Sequence, residues 1–225
     1  MFDFILKGGP VMIPIILGSI VGLAIVIERG WVWWHLRLDA AQFSDEIMGL
    51  VRTGRVAEAL NRCRAVQHPL ARVLAAGLEH ASWELPEVER LMQHEGDCAV
   101  QQLERHLGGL SSIISIEPLL GFLGTITGLI HSFRAWEHAG ADVTVSTLAA
   151  GIYEAMITTA AGLIVAIPLY LANNYFLFRI KRCSFEATDA GNALLRTLAQ
   201  SREAHTYGAS ANVSVMAERD PTPSL

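Results

Sequence analysis

Residues 117–133 read E-P-L-L-G-F-L-G-T-I-T-G-L-I-H-S-F. The stretch is apolar enough to lie in lipid. It also carries Gly121, Gly124 and Gly128, threonines at 125 and 127, Pro118, and a carboxylate, Glu117, at its first position. A helix that only anchored a protein in a bilayer would need none of these. Small and polar residues inside a hydrophobic run point to close helix packing around something that must be lined.

The surrounding chain supplies the context for such a helix. Its 225 residues are 52% hydrophobic and 17% charged. That is too apolar for an ordinary soluble domain and too charged for a protein lying wholly in lipid, so a few spans plus a soluble part are expected. A net charge of -5 gives no case for nucleic-acid binding. Cys63, Cys98 and Cys183 lie far apart, without CxxC or Cys/His ligand spacing, and are expected to be reduced structural thiols rather than metal ligands. No phosphate loop, nucleophile elbow or metal motif is present, so neither an enzyme nor a bound cofactor is expected.

Residues 1–10 precede the first apolar run, residues 11–28. It ends at Glu28-Arg29, which reads as an interfacial ion pair. Trp31, Trp33, Trp34 and Arg37 follow, with no small-residue cleavage site. Tryptophans then arginines read as an interfacial belt and anchor, not as a signal-peptide flank. Residues 29–106 read as soluble and helical. An amphipathic helix spans 39–52 with Gly54 as its stop, a second covers 56–65, and Pro69 opens a third. Residues 82–87 connect to a Glu/Gln/Arg-rich stretch. No proline separates that stretch from the second span, 107–133, so residues 87–133 are expected to form one long helix. A polar link (134–146) leads to the third span, 147–178. That span ends in aromatics followed by Arg179, Lys181 and Arg182. A helix is expected to continue over 179–203, with a disordered tail from 204 to 225.

Lys and Arg number nine in residues 29–106 and six in 179–225, against one each in the N-terminus and the 134–146 link. The positive-inside rule then predicts an all-α integral membrane protein of three transmembrane helices, N-out and C-in, extended into a cytoplasmic helical region.

Within the spans, Glu154 is a carboxylate with no basic neighbour in sequence. Intramembrane carboxylates face a bundle interior or water and mark a site by default. If the second and third spans pair antiparallel, Thr125 and Thr127 come level with Thr158 and Thr159 and form a polar ring. Threonines that only back-bond to their own helices are the alternative. Gly121, Gly124 and Gly128 on one span, and Gly151, Ala155, Gly162 and Ala166 on the other, form small-residue packing stripes. Glu117 reads equally as a pore-mouth group or an interfacial carboxylate. His131 reads as an interfacial histidine.

P-L-L-G-F-L-G-T-I-T-G-L-I-H-S-F followed by G-I-Y-E-A-M-I-T-T-A-A-G-L-I-V-A-I-P-L-Y-L-A-N-N-Y-F resembles the paired signature of the MotA/TolQ/ExbB proton-channel proteins, ExbB above all. K-G-G-P-V-M-I-P and P-L-A-R-V-L-A-A-G-L match the same pattern. The resemblance implies a homopentamer in the inner membrane of a Gram-negative bacterium, around a pore occupied by ExbD-like single-span subunits. Those subunits would bring an essential aspartate. Proton motive force would be delivered through a TonB-like protein to outer-membrane transport. By matched motif the resemblance makes Thr125, Thr159 and Glu154 the proton pathway; Thr127, Thr158 and Glu117 are further lining candidates from the residues themselves. Glu117 departs from the alanine common at its position. A TolQ-like or motility motor of the same family is a second expectation, and a non-conducting membrane scaffold a third. A solute transporter is disfavoured because three spans show no inverted repeat.

Overall fold

The computed structural model describes residues 9–36, 38–139 and 145–217, with side chains described for 9–36, 38–138 and 149–202. Among these residues all regular structure is helical. In chain order the helices are α1 (Met12–His35), α2 (Ala40–Arg52), α3 (Val56–Ala65), α4 (Pro69–Glu79), α5 (Leu85–Glu104), α6 (Leu107–Ala139) and α7 (Val145–Ala217). They divide between two compact units. One comprises Met1–His35 and Glu104–Arg179, the other Leu36–Leu103 and Ile180–Leu225.

The second unit is built as a water-soluble core. Asp39 caps α2 by accepting a hydrogen bond from the Gln42 N–H at 3.2 Å. Gly54 follows the helix at φ +75, the left-handed conformation in which a glycine has no Cβ to strain. Pro69 begins α4 where its missing N–H costs nothing. His68 caps that helix, its Nδ1 accepting from the Leu70 N–H at 3.3 Å. The amphipathic faces of α2 to α5 meet residues 180–202 of α7. Ile47, Leu74, Val88 and Leu194 lose all solvent contact there. Gly77 lets α4 close on Met92 and Leu194, where a Cβ would stand 2.6 Å from the Met92 sulfur.

The first unit has a different surface. Its α1, α6 and the early part of α7 contain stretches long and apolar enough to cross a membrane: Met12–His35, Leu107–His138 and a part of Ala149–Arg202. Large apolar side chains such as Leu119, Phe122, Ile164 and Leu171 point outward. Water would reject such a surface, and lipid or neighbouring helices would accept it.

Several expected boundaries move. The continuous helix expected over 87–133 is broken, because Arg105 and His106 separate α5 from α6 and His106 adopts φ +68. A left-handed residue cannot continue a right-handed helix, and histidine tolerates that conformation better than most side chains. Glu28 holds the displaced ring, its carboxylate lying 2.9 Å from His106 Nδ1 and 2.8 Å from Arg29. The Glu28-Arg29 pair is therefore real, and it takes in the helix break as a third member. The glycines at 96, 108 and 109, by contrast, remain helical. Helix α1 runs on through the tryptophans to His35. Trp31 and Trp34 are exposed, while Trp33 is buried beneath the Arg179 guanidinium at 5.2 Å. Helix α6 continues to Ala139, into the expected link. Helix α7 continues to Ala217, past the expected start of the tail, since no proline intervenes before Pro221. Residues 1–8, 140–144 and 218–225, parts of the expected N-terminus, link and tail, lie outside the described residues.

Two predictions come from the soluble core. Burial holds the His68 imidazole below its ordinary 6.5, against the opposing pull of Glu186. The cap needs an unprotonated Nδ1, so folding favours the neutral ring. Its contribution to stability is fully present above about 6.5 and is lost as pH falls from there through the lowered folded value. Hydrogen exchange at the first turn of α4 should accelerate on acidification, and His68→Asn should flatten that dependence by capping without titrating. Burial, assisted by Glu46, pushes the Cys63 thiol up to about 12, and Cys183 is also buried. A maleimide should therefore label the half-buried Cys98 at least about tenfold faster than either, as peptide mass mapping would show.

Candidate functional site

Helices α6 and α7 pack antiparallel in a register set by their small residues. A Cβ on Gly121 would lie 3.0 Å from the Thr159 Cα. One on Gly128 would lie 2.9 Å from the Gly151 carbonyl oxygen, and one on Gly162 only 2.6 Å from the Glu117 carbonyl oxygen. Gly124 faces Thr158, whose side chain fills the space a Cβ would need. At each position the obstacle is backbone or a short branched side chain, neither of which can swing aside. Both helices also contain a proline, Pro118 and Pro168. Each frees a carbonyl one turn earlier from its intrahelical bond.

The threonines divide by partner. Thr125 donates to the Phe122 carbonyl at 2.6 Å, Thr127 to Gly124 at 3.0 Å and Thr158 to Ala155 at 2.8 Å, all within their own helices. Thr159 alone of the four crosses the interface, donating to the Gly121 carbonyl at 2.8 Å. Each hydroxyl keeps acceptor capacity after donating one proton. Thr125 therefore does not share a level with Thr159. It sits four residues beyond Gly121, about 6 Å along the helix. The offset follows from the glycine register, which counting residues from the link could not supply.

Burial sorts the same residues further. Thr125, Thr127, Thr159 and Glu154 are half-buried in a single chain and remain reachable by another helix. Glu117 and Thr158 are not, each being 1% exposed. Both are expected as further lining candidates, and within the single chain each is enclosed by its own helices. Thr158 is sealed by the closeness of Gly124. Glu117 is sealed by α1, because Gly18 stands where any Cβ would collide with Oε1 of the carboxylate. Glu154 is seated in a similar way, its Oε1 against Gly9 ahead of α1. His131 is exposed.

Helix α1 supplies what the motif-centred reading missed. Gly18 receives Glu117 and Gly22 receives Leu169. The signal was present as G-S-I-V-G at 18–22, a small-residue repeat at four-residue spacing. Asn173 was also missed. It is buried and donates to the Ser111 hydroxyl at 3.3 Å.

Residues 65–188 match the model of the MotA/TolQ/ExbB proton channel family. The chain belongs to that family. It is 38% identical over 177 residues to the ExbB-like 1 biopolymer transport protein of Synechocystis sp., a match covering 74% of this chain and 66% of that relative. It is 30% identical over 187 residues to the biopolymer transport protein ExbB of Neisseria gonorrhoeae, covering 75% and 83%. It is 28% identical over 181 residues to the Tol-Pal system protein TolQ of Haemophilus influenzae, covering 76% and 79%. The matched region holds α6 and α7 as far as residue 188, and so includes the glycine contacts between them.

The hairpin geometry is testable through its glycines. Gly162→Ala sets a methyl against a backbone carbonyl and should cost about 1–3 kcal/mol in the stability of the detergent-solubilised protein. Gly108→Ala meets nothing within 4 Å. It should change stability by no more than about 1 kcal/mol, in the favourable direction. Thermal unfolding of the two variants beside the parent protein checks the contrast.

Proposed function

We propose that this chain is an ExbB-like subunit of a proton-driven motor in a bacterial inner membrane. It sits N-out and C-in and forms a homopentamer whose pore it shares with ExbD-like single-span subunits. The observation that carries the reading is the placement of Thr125, Thr159 and Glu154. They are polar groups half-buried in one chain, on a hairpin whose outward surface is rich in large apolar side chains such as Leu119, Phe122, Ile164 and Leu171. Hydroxyls pass a proton without adding fixed charge to a dry pore. Among the described residues the membrane-spanning stretches of α1, α6 and α7 contain no aspartate. That suits a design in which a partner helix brings the carboxylate that loads and releases the ion.

The work available is about 2.3 kcal/mol per charge per 100 mV, plus any pH gradient. No covalent chemistry is required. Ion passage moves the partner helix, and a TonB-like protein carries that movement to outer-membrane transport. The similarity to a TolQ over 79% of its length favours a second reading, a motor of the same construction serving envelope integrity.

Proteoliposomes containing the chain and its single-span partner should take up protons under an imposed potential. Thr159→Val and Glu154→Ala should each lower that flux at least about tenfold, the loss of roughly 1.4 kcal/mol or more at the limiting step. Assembly, followed by size-exclusion chromatography, should be unchanged. Flux untouched by both substitutions would overturn the site, and absence of flux from an intact complex would favour a scaffold.

A further inference from the structure

We propose that Glu117 is a proton-binding site separate from the threonine and Glu154 line, held as a neutral carboxylic acid in the seam between α1 and α6. The side chain is 1% exposed, and its Oε2 has no hydrogen-bond partner. Its Oε1 occupies the notch left by Gly18 on α1, with the Ile113 side chain beside it.

The elements packed around it offer no counter-charge. Next to Gly18, Ser19 spends its hydroxyl on the Ile16 carbonyl at 2.7 Å. From α7, Gly162 presents only backbone to the Glu117 carbonyl. The described charged or titratable groups of this unit are Glu28, Arg29 and His35 on α1, Glu104 at the end of α5, Arg105 and His106 before α6, His131, Arg134, Glu137 and His138 on α6, and Tyr153, Glu154, Tyr170, Tyr175 and Arg179 on α7. Each lies eight or more residues along its helix from Gly18, Glu117 or Gly162, about 12 Å or farther. An ionised carboxylate with one bare oxygen, no cation and no water-facing side is not sustained in such a place, whereas the protonated acid is.

The fit is shaped for that acid. Gly18 provides the room, and a methyl there would collide with Oε1. Pro118 leaves the Ile114 carbonyl without its intrahelical donor, so the α6 backbone beside Glu117 has an acceptor to spare. The site lies one turn along α6 from Gly121, the carbonyl that receives Thr159, yet it opens toward α1 rather than outward.

Proton binding is a property of this chain alone and does not rest on the motor reading. Infrared spectra of the full-length protein in lipid vesicles at about pH 7 would test it, since a protonated buried carboxyl absorbs apart from ionised ones. Glu117→Gln should abolish a protonated-carboxyl band that Glu154→Gln leaves in place. The Gln variant, which mimics the neutral acid, should melt at or above the temperature of the parent protein. A carboxyl band unaffected by Glu117→Gln, loss of an ionised-carboxylate band in its place, or marked destabilisation of the Gln variant would each overturn the proposal. None of these results touches the flux assay on Thr159 and Glu154, so the two readings fail separately.

Discussion

The close approach of α6 and α7 governs the membrane unit. In lipid there is no hydrophobic drive to push two apolar helices together, so contact must come from packing and interhelical hydrogen bonds. Gly121, Gly128, Gly151 and Gly162 bring backbone against backbone. That distance is what lets the Thr159 hydroxyl reach the Gly121 carbonyl. The same register decides which hydroxyls remain accessible. Thr158 is swallowed by Gly124, while Thr125 and Thr159 stay at the surface of the pair.

Helix α1 applies the same device once more, and with a different result. Gly18 and Gly22 accept a carboxylate and a leucine as ridges. The seam they form is dry and holds a group that elsewhere would be solvated. Glu154 and Glu117 thus have unlike surroundings. Glu154 is half-buried near Gly9, and Glu117 is enclosed.

The other unit rests on ordinary hydrophobic burial. Its helices begin and end where local chemistry dictates, at the Asp39 cap, at Gly54 and at Pro69. For that reason 56–65 and the neighbouring helices were legible almost to the residue. The break at His106 was not. Nothing in the local residue types forbids a helix there, and the turn is held from a distance by Glu28. The depth of Thr125 relative to Thr159 was misjudged for a related cause. A count from the link assumes where the link ends, but the glycine contacts set the register.

What the amino-acid order determined by itself was the set of elements and their solvent: three apolar runs long enough for a bilayer, amphipathic helices between them, and a hairpin rich in glycine and threonine. Those properties are local, carried by period, caps and hydropathy, so they survive without a partner in view. Which face each polar group presents was decided only by tertiary structure. Glu117 could equally have been a pore-mouth carboxylate or an interfacial one by sequence. Its burial depends on a glycine 99 positions earlier in the chain, Gly18, arriving opposite it with no Cβ in the way.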